Sequence, residues 1–173
     1  VNAHPRRHRR FREDVIEELD TRASGTPYQR LLQTLAEGPR TLREISVALD
    51  IEQAEVNELV TEGIGLADLT ALGGASSDKL PSNRIIILAR AYNQQAEVLV
   101  ALLRDFHGRH RLRRGMPKEE VRSRLQLDSR VFEAMVQSLA TRGALEDLGN
   151  VMAEAGWTIE LNDDEQRRAG SLT

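Results

Sequence analysis

The sequence predicts a mainly α protein with small β wings: two tandem winged helices, each a helix-turn-helix pair followed by a β-hairpin. Three observations predict it. Helix formers outnumber β-branched residues, and aromatic residues are only 3% of the chain, so the cores must be aliphatic and the sheet content low. The chain also repeats itself: TLREISVALDIEQAEVNELV (41–60) lies over PKEEVRSRLQLDSRVFEAMV (117–136) at an offset of 76 residues, Glu44 falling on Glu120. Finally, each copy carries the same ordered signals of three helices and two short strands.

Few identities support the repeat, but its apolar positions keep step. Ile45 falls on Val121, Leu49 on Leu125, Ile51 on Leu127, Val56 on Phe132, Leu59 on Met135 and Val60 on Val136. The match continues through Leu69 on Leu145, Leu72 on Leu148 and Gly73 on Gly149. In the first copy we expect helices over 28–37, 42–50 and 52–65, then strands over 69–72 and 85–88. Its wing, GGASSDKLPSN (73–83), is long and polar, and we expect it to be mobile.

In the second copy, Val98, Leu99, Leu102, Leu103 and Phe106 recur at helical spacing and predict a helix over 96–107. Pro117 suits the first turn of the next helix, with Glu119 and Glu120 favouring its positive end. Asp128 is placed to cap the third helix, whose inward face is Val131, Phe132, Met135, Val136 and Leu139. Gly143 stands where that helix should stop. ALEDL and VMAEA then read as two strands turning at Gly149-Asn150. The basic stretch 108–116 is the loop between the first and second helices, and only GPR (38–40) corresponds to it in the first copy.

These elements divide the chain into a connector with a short helix pattern (1–24), a first winged helix (25–91), a second (92–161) and the start of a further linker or helix (162–173). The chain begins at Val1 in mid-pattern and stops just after a helix-like start, so we expect a piece of a longer protein.

Composition narrows the function classes. The absence of cysteine removes disulfides and thiolate metal sites and fits a reducing, cytoplasmic compartment. No apolar run reaches the length of a membrane span, so no membrane partner is expected. The net charge is −3, unlike a dedicated nucleic-acid-binding domain. The cations are nonetheless clustered, in HPRRHRRFR (4–12) and RHRLRR (109–114). Guanidinium groups match phosphate geometry and supply the salt-dependent part of nucleic-acid affinity. The residues that could contact RNA or a ribosome are therefore Arg6, Arg7, Arg9, Arg10, Arg109, Arg111, Arg113, Arg114, Lys118 and Arg122. The competing reading is a solvated loop paired with Asp105, Glu119 or Glu120, and a solvated charged N-terminal end. No aromatic is interleaved with the second cluster, so base stacking is not expected.

Other chemistry is weakly represented. His107 and His110 are too few, and too surrounded by arginine, for a metal site. There is no phosphate-binding Gly-Lys motif, nucleophile elbow or HExxH, so no enzyme activity and no cofactor are expected in this chain. The acidic cluster 163–165 fits a helix N-terminus. The third helix of the first copy carries Glu52, Glu55, Glu58 and Glu62 on its outer face, which would repel DNA phosphate. The second copy carries Ser129, Arg130, Glu133, Gln137 and Arg142 there, a more permissive set.

LLRDFHGRHRLRRGMPKEEVRSRL (102–125) also resembles the signature of the SelB family, the bacterial selenocysteine-specific elongation factors. The residues that carry it are Phe106-His107, Leu112-Arg113, Gly115-Met116-Pro117-Lys118-Glu119-Glu120 and Arg122-Ser123-Arg124, followed by Val131-Phe132 and Gly143. HPRRHRRFREDVIEEL is similar to the junction leading into the family's C-terminal region. One departure is Arg111, where the family pattern has proline. The resemblance is specific over 102–145 and weaker in the first copy. It implies the first two of four C-terminal winged helices, a connector between a body that carries GTP, Mg2+ and selenocysteinyl-tRNA and a tip that recognises an mRNA hairpin during UGA recoding. RNA contact would then come through the full-length protein, with weak or no duplex DNA binding and a monomeric state. The alternatives from the residues alone are a tandem winged-helix DNA-binding regulator or a ScpB-type chromosome-segregation protein.

Overall fold

The computed structural model describes residues 25–74, 79–159, 167 and 170. The connector 1–24, which includes its expected short helix and the arginines at positions 6, 7, 9 and 10, and the acidic cluster 163–165 lie outside them. The chain divides into two compact units, Val1–Asn93 and Gln94–Thr173.

The first unit is built from α1 (Pro27–Ala36), β1 (Arg40–Thr41), α2 (Leu42–Leu49), α3 (Gln53–Gly65), β2 (Leu69–Ala71) and β3 (Ile85–Leu88). Two capping boxes start its first two helices. Thr26 Oγ1 accepts from the Gln29 N–H while Gln29 answers the Thr26 N–H, and Thr41 and Glu44 repeat the exchange. Leu31, Leu32, Leu35, Leu42, Ile45, Leu49, Val56, Val60 and Leu69 form one buried cluster with Ile86. The strands form an antiparallel sheet in the order β1-β3-β2, so the expected two-stranded wing has a third, two-residue strand.

The helix α4 (Ala89–Arg109) contains the boundary between the units. It starts earlier than the apolar spacing suggested, because Tyr92 is buried and Ala91 packs on the first unit's core. It also ends later: Gly108 and Arg109 are helical, not loop, and an Asp105–Arg109 ion pair of 3.0 Å spans the last turn.

After α4 the second unit continues with β4 (Met116–Pro117), α5 (Lys118–Leu125), α6 (Ser129–Thr141), β5 (Leu145–Asp147) and β6 (Val151–Glu154), with sheet order β4-β6-β5. Pro117 is the N-cap of α5 rather than part of its first turn, since its N-terminal neighbour Met116 is held in the sheet opposite Met152. Asp128 caps α6 as expected, accepting from the Arg130 N–H at 2.9 Å.

The backbone repeats as closely as the side chains. β1, α2, α3 and β2 map onto β4, α5, α6 and β5 with the same lengths and the same offset. Left-handed residues fall at matched places: Asp50 and Gln126 end α2 and α5, and Gly73 and Gly149 stand at the wings. Ala67 and Gly143 close α3 and α6 by one motif. Asp68 N–H donates to Gly63 O and Ala67 N–H to Ile64 O; Ala144 N–H donates to Leu139 O and Gly143 N–H to Ala140 O. Ile45 and Val121 are both fully buried, as are Val60 and Val136, while Val56 and Phe132 are exposed by at most 1%. Three pairs break step: Leu125 is half-buried where Leu49 is buried, Met135 is buried where Leu59 is half-buried, and the largest difference lies at the wings. Leu72 is buried but Leu148 is 40% exposed, because the second wing turns within three residues and leaves nothing to cover it. The longer first wing is partly anchored: Leu80 is buried, Ser82 O accepts from the Arg43 N–H, and Arg84 O accepts from the Leu42 N–H.

Candidate nucleic-acid interface

The basic loop is reduced to residues 110–115 by the length of α4, and both its ends are fixed. His110 N–H donates to Phe106 O at 2.8 Å, extending the helical path, and the His110 ring lies 4.6 Å from the Phe106 ring. Arg113 N–H turns back to His110 O at 2.9 Å. At the far end Gly115 is buried, and a Cβ there would stand 2.5 Å from Met152 O. Only glycine lets the chain pass so close to the backbone of β6. Met116 then enters the core.

Between these anchors Arg111, Leu112, Arg113 and Arg114 are all exposed. The three arginines carry no ion pair among the described residues, which separates them from their neighbours. Arg109 pairs with Asp105 at 3.0 Å, and Arg122 with Glu119 at 2.6 Å. Lys118 is only 16% exposed at its side chain and reaches Asp147 at 2.9 Å and Glu133 at 3.6 Å. Burial disfavours its charge, but the bonds and charges of Asp147 and Glu133 outweigh that and raise its pKa. The acids able in principle to neutralise the loop are thus engaged elsewhere: Glu119 by Arg122 and Glu120 by Arg124. Of the sequence candidates within the described residues, the fold gathers Arg111, Arg113 and Arg114 as one uncompensated cluster and ties Arg109, Lys118 and Arg122 into ion pairs.

His107, read from the sequence as the edge of this loop, is instead 1% exposed at the base of α4. Its Nε2 accepts from the Glu154 N–H at 3.3 Å, and its ring stacks on Trp157 at 4.1 Å and 21°. Burial lowers its pKa, and the nearby Glu154 carboxylate opposes that less strongly. Arg104 clasps the same Glu154 from Nε at 3.0 Å and Nη2 at 2.7 Å. Sequence reasoning missed this group, since its members come from two stretches some 47 residues apart; only the lone tryptophan could have hinted at it.

The outer faces of the third helices are as charged as expected. Glu52, Glu55, Glu58 and Glu62 are exposed on α3, without an ion pair among the described residues. On α6 Ser129, Arg130, Glu133, Gln137 and Arg142 are exposed, with Arg130 3.6 Å from Asp128 and Glu133 committed to Lys118. Among the described residues no group of three or more His, Asp or Glu could hold a metal ion, and no helix is long and apolar enough to cross a membrane.

Residues 100–153 match the family model for the winged helix of elongation factor SelB. Over these residues the second unit is similar to the winged helix of SelB. The matched range holds the end of α4, the arginine loop, the helix-turn-helix pair and most of the wing, so the resemblance seen in the sequence is borne out where it is most specific. Two solved SelB structures align with more of the chain. A crystal structure of a bacterial selenocysteine-specific elongation factor is 16% identical, with TM-score 0.52 over 83% of this chain and 19% of its own length. The mRNA-binding domain of SelB from E. coli, solved in complex with SECIS RNA, is 12% identical, with TM-score 0.52 over 76% of this chain and 99% of its own. At these identities the likeness is one of fold. The aligned region spans about a fifth of the whole elongation factor. No curated protein matches the sequence.

Proposed function

We propose that this chain is part of the arm of a selenocysteine-specific elongation factor, joining a body that binds GTP and tRNA to a tip that binds an mRNA hairpin during UGA recoding. In this reading the chain itself catalyses nothing; GTP and Mg2+ belong to the parent protein. It works as a monomer in the cytoplasm, and its own RNA contact is the loop 110–114. The observation that carries the contact is the charge sorting around that loop: three exposed guanidiniums in four residues lack a carboxylate partner among the described residues, while the cations beside them are paired. Such a cluster attracts phosphate, and the attraction weakens as salt rises. The SECIS complex of the E. coli domain supports RNA as the polyanion. The acidic outer face of α3 argues against duplex DNA as the ligand of the first unit.

Filter binding at low salt tests it, using structured RNA and ribosomes as probes. Replacing Arg113 and Arg114 together with Glu should weaken binding and flatten its salt dependence, by roughly 0.9 in the log–log slope for each phosphate no longer neutralised. Thermal melting of the variant should be unchanged, because both side chains are exposed. Undiminished affinity would remove the loop from the account.

A further inference from the structure

The cluster at the base of α4 has more order than the fold of the second unit requires. His107 and Trp157 are the end points of two segments that the winged helix does not otherwise hold together: the helix turn that launches the arginine loop, and residues 155–159 that follow the last strand. Trp157 N–H donates to Glu154 O at 3.1 Å and Gly156 N–H to Glu146 Oε1 at 3.2 Å, so the turn after β6 is itself fixed. Glu154 contributes twice, its N–H to His107 Nε2 and its carboxylate to Arg104. Two polar atoms in this closed arrangement, His107 Nδ1 and Trp157 Nε1, are buried without a hydrogen-bond partner among the described residues. Such groups cost free energy and leave the pair poised rather than locked.

We propose that His107 and Trp157 form a proton-sensitive clasp that couples the base of the arginine loop to the path of residues 155–159. His107 is a positioning residue in this device. As the neutral ring it accepts the Glu154 N–H; protonated, it carries a proton on both nitrogens and must give that bond up. The charged groups that face it are Arg104 on its own helix and Glu154 on β6. His110 lies beyond Phe106, and Glu146 holds the turn from β5. The Glu154 charge is already taken by Arg104, so it gives the imidazolium little compensation.

The sign follows from the direction of the His107 shift. The folded pKa lies below the ordinary 6.5, so the clasp contributes its full stability above that value. The contribution falls as pH drops through the lower folded pKa. Trp157 is the single tryptophan of the chain, so its emission reports this site alone.

Acid titration of the full chain should shift Trp157 emission and increase its quenching by acrylamide. The midpoint should coincide with the NMR titration of the His107 ring protons and with movement of the Glu154 and Arg113 amide signals. Trp157→Ala should move the His107 midpoint up toward 6.5, and Trp157→Phe should leave it near wild type. An equal His107 midpoint in wild type and Trp157→Ala overturns the proposal, as does an unchanged Trp157 transition in His107→Gln. An Arg113 amide that stays still while Glu154 moves overturns the coupling to the loop. Should His107→Gln not fold, the pair of Trp157 variants decides the question.

Discussion

The two units share every helix length in their helix-turn-helix pairs and differ at the joints. The first has a three-residue joint, 37–39, between its first helix and β1 and a long wing, 72–84. The second has the basic loop, 110–115, and a wing of only three residues, 148–150. Extra chain has therefore entered each copy at a different surface connection, where backbone groups can be solvated and the core stays as it was. The scaffold is common, and the chemistry distinguishing the copies is carried by what was inserted. Arg111, Arg113 and Arg114 have no counterpart in the first unit, and the wing pinned through Leu80 and Ser82 has none in the second.

The largest test of this parity is in the cores. Phe132→Ala should cost about 3–5 kcal/mol, as truncation of a buried phenylalanine does. Val56→Ala, at the matched position, should cost roughly 2 kcal/mol, because fewer buried carbons are removed. Chemical denaturation followed by residue-resolved exchange would assign each loss to its own unit. A near-neutral Phe132→Ala would break the equivalence of the two sites.

Gly115→Ala comes next. It should destabilise the second unit by about 1–3 kcal/mol or more, since the new Cβ meets Met152 backbone and not a flexible side chain. A thermal melt measures it, and an unchanged midpoint would mean that the loop does not pass β6 as described.

Smaller, and opposite in sign between the units, are the helix ends. Gly143→Ala puts an alanine at φ 71° and should cost on the order of 1 kcal/mol, while Ala67→Gly relieves φ 60° and should gain about as much. Destabilisation by both substitutions would show that the shared closing motif is not what sets their energies.

The smallest change sharpens the boundary of the loop. Gly108 is exposed in α4 with nothing near its Cβ position. Gly108→Ala should gain about 0.5–1 kcal/mol if the residue is helical. A loss of stability would return it to the loop, where sequence spacing alone puts it.

Much of this architecture was legible because it depends on local or periodic signals. Offset matching finds the two copies, and Asp128 and Gly143 sit where a cap and a stop are required. What was missed had long-range causes. The edge strands β1 and β4 are two residues each, too short for any periodic pattern, and exist only because β3 and β6 lie beside them. The early start of α4 goes with the burial of Tyr92 and with Ala91 packing on a core whose other members lie far back in sequence. The candidate interface was legible as a cluster of arginines, and Asp105 as a partner within one helix, but not in its further detail: pairing Lys118 to Asp147 depends on which side chains the helix and wing bring within 4 Å.

By itself, then, the amino-acid order determined that one aliphatic helix-turn-helix pattern is written twice, since period and caps are properties of neighbouring residues. Only the tertiary structure decided which of the described cations stay unpaired and that His107 turns inward against Trp157. Charge pairing and burial are set by through-space distance, and Asp147, Glu154 and Trp157 reach their partners from tens of residues away.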